Sequence, residues 1–134
     1  MPVIRTEALQ VRSPADVVSV RQTVRTWAIE AGFSLVDQTK MVTAASEIAR
    51  NTIDYGGGGI ARLELLADGT RRGLRVAFED NGPGIPDIQK ALTGHFTTGN
   101  GLGLGLGGAK RLVNEFHISS RVGEGTRVVL TRWK

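Results

Sequence analysis

The eighteen glycines of the 134-residue chain constrain most strongly what it can fold into, because the majority of them gather in a few short stretches. Fourteen fall at 56–59, 82–84, 99–108 and 123–125, and no collagen-like repeat relates them. Glycine adopts backbone conformations that other residues avoid, and it lets the backbone approach a ligand closely. Glycines clustered in this way predict ligand-facing loops on an otherwise regular fold.

The rest of the composition is typical of a globular protein, with 40% hydrophobic and 22% charged residues. The length predicts a single domain over residues 1–134. The absence of cysteine excludes disulfides and thiolate metal sites. The N-terminus lacks the pattern of a signal peptide, and no apolar run approaches the ~20 residues needed to cross a bilayer. We therefore expect a cytoplasmic protein without a membrane partner.

A net charge of +4 and a pI near 10.1 raise the alternative of nucleic-acid binding. The basic residues are scattered along the chain, however, and no aromatic residues interleave with them to form a stacking surface. A mildly basic surface suits nucleotides and acidic proteins equally well. We expect no nucleic-acid partner.

The first half of the chain predicts two amphipathic helices. Ser13-Pro14 is a typical helix start, and apolar residues then recur at helical spacing until Gly32. Ser34 opens the second helix. The predicted buried stripe of the first helix is Val17, Val20, Val24, Trp27 and Ala31, and that of the second is Met41, Ala45, Ile48 and Thr52.

The remaining patterns predict a sheet and shorter helices. Residues 3–11 are predicted as a strand, and a period of two predicts a hairpin through 60–65 and 74–78. Short and longer helices are predicted at 87–92 and 104–115, and two last strands at 116–122 and 126–132. This order predicts an α+β fold, a two-layer sandwich with a mostly antiparallel mixed sheet and helices on one face.

The second helix carries a pair of polar residues, Glu47 and Asn51. Residues four apart project from the same side of a helix, and this side is not the predicted buried stripe. A solvent-facing polar pair is the simpler interpretation of this pattern alone.

A glycine turn follows the strand that ends near Phe78, with the sequence Asp80-Asn81-Gly82-Pro83-Gly84. Its backbone could approach a flat ligand, and the Asp80 carboxylate could accept a hydrogen bond from an exocyclic amine. An ordinary turn at a strand end explains the same residues.

The glycine run 99–108 opens a helix, where free backbone N–H groups can bind phosphate. Its spacing is not that of a Walker loop. Gly103, Gly105 and Gly108 match Gly-x-Gly-x-x-Gly, but they follow a loop where that motif requires a strand. A flexible hinge is the alternative.

Taken in this order, the three segments resemble the GHKL superfamily of gyrase, Hsp90, histidine kinase and MutL ATPases. Glu47 and Asn51 match its N box, Asp80 to Gly84 its first glycine box, and Gly101 to Gly105 its second. Gly125-Thr126 is similar to the family's late Gly-Thr. The resemblance covers nearly the whole chain and implies the Bergerat fold.

The resemblance also implies a role for each matched residue, with ATP and Mg²⁺ as the bound groups. Glu47 would be the general base, Asn51 would ligate Mg²⁺, and Asp80 would bind the adenine amino group with help from Thr126. Gly82 and Gly84 would let the loop close on the base, and residues 86–100 would form a lid. The phosphates would be held by the amides of Gly101, Leu102, Gly103, Leu104 and Gly105.

Two departures from the family pattern stand out. Thr52 follows the N-box asparagine where alanine is frequent in the family. The lid offers Lys90 as its one lysine, with His95, Thr97 and Thr98 as its other polar candidates. Which group contacts the γ-phosphate is therefore open. His95 has no acidic or histidine neighbours at metal-ligand spacing. His117 falls at the start of a predicted strand, and we expect it to be a partly buried packing residue.

Within the superfamily, the stretches 32–39 and 107–118 look like the RsbT-type switch kinases. This resemblance implies transfer of the ATP γ-phosphoryl group to a serine or threonine of a STAS-domain protein of a stressosome, similar to RsbS or RsbR. The released kinase would then activate a PP2C-type phosphatase. The alternatives are an anti-sigma factor kinase of the RsbW and SpoIIAB branch, or a non-enzymatic binding module gated by ATP. The presence of Glu47 favours catalysis, since binding of Mg-ATP needs no base.

Overall fold

The computed structural model of the chain describes residues 2–92 and 105–134. Four helices and five strands lie in these ranges. In chain order they are β1 (Val3–Val11), α1 (Pro14–Glu30), α2 (Leu35–Asp54), β2 (Gly59–Asp68), β3 (Arg71–Asp80), α3 (Ile88–Lys90), α4 (Gly105–Arg111), β4 (Glu115–Arg121) and β5 (Gly125–Trp133).

Both long helices begin at the predicted caps. The Ser13 hydroxyl accepts a hydrogen bond from the backbone N–H of Asp16, and the Ser34 hydroxyl accepts one from the N–H of Asp37. A backbone hydrogen bond from Arg12 lowers the pKa of Asp16, which lies in the first turn of α1. The predicted buried stripes of both helices are confirmed, since every residue in them is buried.

Helix α2 is buried over more of its circumference than the stripe predicts. Val42, Ala44, Ser46, Glu47 and Ala49 are also buried. Helix α1 packs on one flank of α2 and α4 packs on the other, while the sheet lies beneath. The burial of this second flank comes from packing against other elements of the fold, and helical periodicity alone does not reveal it.

The five strands form one sheet in the order β1-β2-β3-β5-β4, and the predicted two-layer α+β sandwich is confirmed. All four strand pairings are antiparallel, so the parallel pairing of the expected mixed sheet does not occur among the described residues. The helix-facing side carries Leu63, Leu74, Val76, Phe78 and Leu130, which belong to the main hydrophobic core.

The opposite face of the sheet carries charged residues in ion pairs. Arg75 bonds Glu64 at 2.6 Å, and Glu79 lies 3.4 Å from Arg62 and 3.7 Å from Arg127. His117 is also exposed here, so the expectation that it would be partly buried is wrong. It alternates along β4 with the inward-facing Phe116 and Ile118.

Helix α4 ends earlier than predicted, at Arg111 instead of residue 115. Asn114 is already tied to β5, because its backbone N–H donates to the Thr131 carbonyl and its side-chain oxygen accepts from the Trp133 N–H. The apolar Leu112 and Val113, which resemble a helical continuation, pack against the core from the connecting turn. A short helix is present within 87–92, as predicted, and begins at the cap Asp87.

Two features of this fold position the site. The C-terminal end of β3 pairs with the N-terminal end of β5, with Asp80 opposite Thr126. The last turns of α2 lie over this end of the sheet. Within the described ranges, no helix is long and apolar enough to cross a membrane. The expectation of a single domain over 1–134 stays a prediction.

Candidate functional site

Asp80 is held at the sheet end by backbone hydrogen bonds. Its Oδ1 accepts from the N–H of Gly82 at 2.9 Å and from the N–H of Thr126 at 3.2 Å. The Thr126 hydroxyl is hydrogen-bonded in turn to the Ser120 hydroxyl at 2.8 Å. No hydrogen bond from the described residues reaches Asp80 Oδ2, so this oxygen is left to accept one from a ligand.

The glycines around Asp80 are required by close backbone packing. A Cβ on Gly56 would lie 2.3 Å from Asp80 Cγ, and one on Gly82 would lie 2.6 Å from the Gly56 Cα. A Cβ on Gly84 would lie 2.2 Å from the Arg121 carbonyl oxygen, and Gly84 also has a φ of +80°. The resemblance implies that Gly82 and Gly84 let the loop close on the base, and this role stays a prediction. The structure shows in addition that their missing side chains make room for neighbouring backbone.

Asp80 opens into a pocket of about 600 Å³, its mouth included, between α2 and the sheet end. The polar lining includes Asn51, Asp80 and Thr126, and the rest is largely apolar. An apolar slot with a few convergent polar groups is the usual form of a small-molecule site, and it suits a flat base. The apolar and glycine lining residues are Ile48, Phe78, Ile85, Leu106, Val128, Pro83, Gly56 and Gly84.

Glu47 lies on α2 one turn before Asn51 and is paired with Arg50. The distance between Arg50 Nη1 and Glu47 Oε1 is 3.0 Å, and the side chains are 46% and 8% exposed respectively. A carboxylate this far buried needs a compensating charge, and the guanidinium of Arg50 supplies it. Glu47 Oε2 has no hydrogen-bond partner among the described residues, so one oxygen is left for a proton.

The Asn51 side chain lines the pocket and makes no hydrogen bond within the described ranges. Its amide oxygen is therefore available as a hard ligand. The residues described in the structure contain no cluster of three or more His, Cys, Asp or Glu that could hold a metal. Mg²⁺ is usually bound through few protein oxygens together with phosphate and water, and the Asn51 amide oxygen is a ligand of that kind.

The structure brings four of the predicted site residues, Asn51, Asp80, Gly84 and Thr126, to one pocket. Gly82 lies beside them, bonded to Asp80. Gly105 is the first residue of α4 and precedes the lining residue Leu106. The predicted phosphate-binding residues 101–104 lie outside the described residues, as do 93–100 of the predicted lid, including His95, Thr97 and Thr98. The roles assigned to all these residues stay predictions.

Sequence reasoning missed three residues of the site. Arg50 stands three residues after Glu47, and the spacing rule for helical neighbours could have found it. Gly56 was noticed only as one of a glycine cluster. Ser120 accepts a hydrogen bond from the Ile85 N–H at 2.7 Å and bonds Thr126, so it ties the glycine turn to β5. No sequence signal marks it.

A family model described as histidine kinase-, DNA gyrase B-, and HSP90-like ATPase matches residues 36–134. The chain belongs to this ATPase family. Membership implies ATP binding.

Individual relatives show which branches of the ATPase family this chain is similar to. The chain is 48% identical to the serine/threonine-protein kinase RsbT of Bacillus subtilis, over 88% of this chain and 89% of that protein. It is 28% identical to the anti-sigma F factor of Clostridium novyi, over 70% of this chain and 69% of that protein. This more distant relative is an anti-sigma factor, the kind of protein considered as an alternative above.

A solved structure of the RsbU and RsbW domains of a Mycobacterium tuberculosis protein has the same fold. The TM-score is 0.67 at 23% identity, and the match covers 97% of this chain. This chain corresponds to 33% of that structure. At this identity the likeness supports the fold alone.

Proposed function

We propose that this ATPase-family chain transfers the γ-phosphoryl group of ATP to a serine or threonine of a STAS-domain protein. The chain is a serine/threonine protein kinase of a stress-response partner-switching system, and the ground is its 48% identity to RsbT over most of its length. The structural observation that supports the ATP site is the pocket joining Asn51 to the free Asp80 oxygen.

Three groups would hold the nucleotide and its metal in this proposal. Asp80 Oδ2 accepts a hydrogen bond from the adenine amino group, while Oδ1 is kept in place by the Gly82 and Thr126 amides. The Asn51 oxygen ligates Mg²⁺, which neutralises phosphate charge when it is bound. The amides of residues 101–105 contact the phosphates.

Glu47 acts on the acceptor hydroxyl. The hydroxyl oxygen bonds to the γ-phosphorus as the bond to the β–γ bridging oxygen breaks, ADP leaves, and Glu47 takes the hydroxyl proton. Arg50 holds the carboxylate in place through one oxygen and leaves the other free. Catalysis here is mainly positioning and electrostatic stabilisation of the transferring group.

The product carries nearly two additional negative charges at the contact between the two proteins. We expect this charge to weaken the complex and release the kinase, which then binds and activates a PP2C-type phosphatase. A cytoplasmic location suits such a cycle. The anti-sigma alternative has less support, since the anti-sigma F factors are 28–29% identical.

The test is a transfer assay with γ-labelled Mg-ATP and purified STAS-domain proteins. The proposal expects label on a serine or threonine of one of them. Stable binding of ATP without transfer to any STAS-domain protein would instead identify a non-enzymatic, ATP-gated binding module.

A further inference from the structure

We propose that a groove between α2 and α4 is the docking surface for an acidic face of the acceptor protein. The inference rests on the proposed kinase function. It adds where the acceptor protein docks on the kinase and what charge the docking face of the acceptor carries. The groove, called here the α2–α4 groove, has a volume of about 590 Å³ including its mouth. It is lined by Thr39, Lys40, Thr43, Gly108, Arg111 and Leu112.

The position of the groove along α2 is the first argument. From the C-terminal end of the helix toward its N-terminus come the base pocket at Tyr55, then Asn51, then Glu47, and then the groove. Thr43 stands one turn before Glu47 on the same side, about 6 Å along the axis. A nucleotide with its base at Asp80 and its metal at Asn51 would direct its γ-phosphate toward Glu47. The groove therefore opens where the acceptor hydroxyl must arrive.

The charge of the groove is the second argument. Lys40 and Arg111 are exposed and face the groove from opposite helices. Within the described ranges no carboxylate lies within 4.0 Å of either cation, and the nearby Asp37 is bonded to Arg132 at 2.6 Å. The residues outside those ranges contain no Asp or Glu. Asp37 also attracts Lys40 electrostatically and so offsets part of its charge. The two exposed cations still leave a positive charge at the groove, which attracts and orients an acidic protein surface.

The apolar residues beside the groove are the third argument. Leu35 and Val36 at the start of α2 are 71% and 62% exposed, although both are large and apolar. Val36, Lys40 and Thr43 follow each other at helical spacing, so the apolar entrance continues into the basic groove. Adjacent exposed apolar side chains beside charged ones are typical of protein–protein contact surfaces. This composition favours a folded protein with an acidic and apolar face.

The test compares steady-state transfer to the STAS-domain acceptor by the wild type and by Lys40→Glu, Arg111→Glu and the double variant. We expect each reversal to raise the KM for the acceptor about 10-fold and the double variant to raise it further, mainly through slower association. The Kd for Mg-ATP should stay unchanged. Lys40→Arg should retain the wild-type KM, and added salt should raise the wild-type KM more than that of the double variant.

The matched control is Arg72→Glu, which makes the same change of charge at the β2–β3 turn, away from α2 and α4. It should leave the KM for the acceptor unchanged. If the reversal variants keep the wild-type KM for the acceptor, the inference is overturned and the proposed function stays intact. A loss of ATP affinity that matches the rise in KM would also overturn the inference. If reversals only break a homodimer of the kinase, the groove is an interface between two copies. If the wild type labels no STAS-domain protein, the proposed function fails and this inference with it.

Discussion

Two carboxylates of the candidate site, Asp80 and Glu47, are fixed in different ways. Backbone amides hold Asp80 through one oxygen, and glycine-dependent packing encloses it. A single ion pair holds Glu47, and its partner Arg50 is a half-exposed side chain. Two amides and close backbone packing restrict Asp80 more than one ion pair with an exposed partner restricts Glu47. In the proposed function, the more rigid end would recognise the base and the more adjustable end would be where phosphoryl transfer occurs.

Among the substitutions that distinguish the roles of the two carboxylates, Glu47→Gln is expected to have the largest effect. Loss of a general base should lower kcat for transfer about 10²–10⁴-fold, while Mg-ATP still binds because the base pocket is unchanged. Single-turnover assays measure the rate of transfer, and equilibrium titration measures the affinity for Mg-ATP. The control is Glu64→Gln, which also removes a carboxylate paired with an arginine but lies on the opposite face of the sheet. Wild-type transfer by Glu47→Gln would rule out the assigned role.

The converse change is Asp80→Asn, which should weaken Mg-ATP binding about 10–100-fold. The asparagine oxygen can still accept from the two amides, so its NH₂ group would face the adenine amine, donor against donor. Titration calorimetry measures the affinity. Glu79→Gln is the control, since Glu79 directly precedes Asp80 in β3 and points to the outer face of the sheet. An unchanged affinity in Asp80→Asn would remove Asp80 from the base site.

A smaller effect is expected for Gly56→Ala, which tests whether packing fixes the Asp80 carboxylate. The new methyl group would meet Asp80 Cγ and Oδ2, so we expect a loss of about 1–3 kcal/mol in the free energy of unfolding and weaker Mg-ATP binding. Gly57→Ala is the control. It has a φ of +74° but nothing within 4 Å, so it should cost stability without weakening ATP binding. Equal ATP affinities in the two variants would contradict the packing argument.

The smallest effect concerns stability alone. Asp37 accepts a 2.6 Å hydrogen bond from Arg132, and this bond lowers the pKa of Asp37 below its usual 3.8. A pKa lowered by folding adds stability above about pH 3.8, and that stability is lost as the pH falls through the folded-state value. Asp37→Asn should therefore cost about 1 kcal/mol at pH 7 and progressively less below pH 3.8.

Urea unfolding of wild type and Asp37→Asn at pH 7 and pH 3 measures this difference, with Asp68→Asn at the exposed hairpin turn as the control. A stability difference that grows toward pH 3 would refute the ion-pair explanation. Near-normal Mg-ATP binding in Asp37→Asn would show that a modest loss of stability does not by itself disturb the Asp80 carboxylate.

Much of the fold follows from local sequence signals. The serine caps, the buried stripes of the long helices and the alternation along β2 and β3 depend on residues close in the chain, and all are confirmed. The end of α4 was predicted too late, because the bonds of Asn114 to β5 compete with helical continuation.

The site was predicted less completely, because its details depend on contacts between distant segments. Glu47 is buried because α2 is covered on more than one side in the folded chain, and helical phase cannot show this. The reason for Gly82 and Gly84 lies in the backbones of Gly56 and Arg121, which approach only in the folded chain. The order of the motifs predicts residues that the structure brings to one pocket, but it does not predict the contacts that pack around them.

The most direct measurement is an equilibrium titration of the wild-type chain with Mg-ATP and, separately, with Mg-GTP. Guanine has a carbonyl where adenine has its amino group, so Asp80 Oδ2 would face an oxygen. The account predicts one-to-one binding of Mg-ATP and at least about 100-fold weaker binding of Mg-GTP, because the site requires a donor at that position. No binding of Mg-ATP, or equal affinity for the two nucleotides, would contradict it.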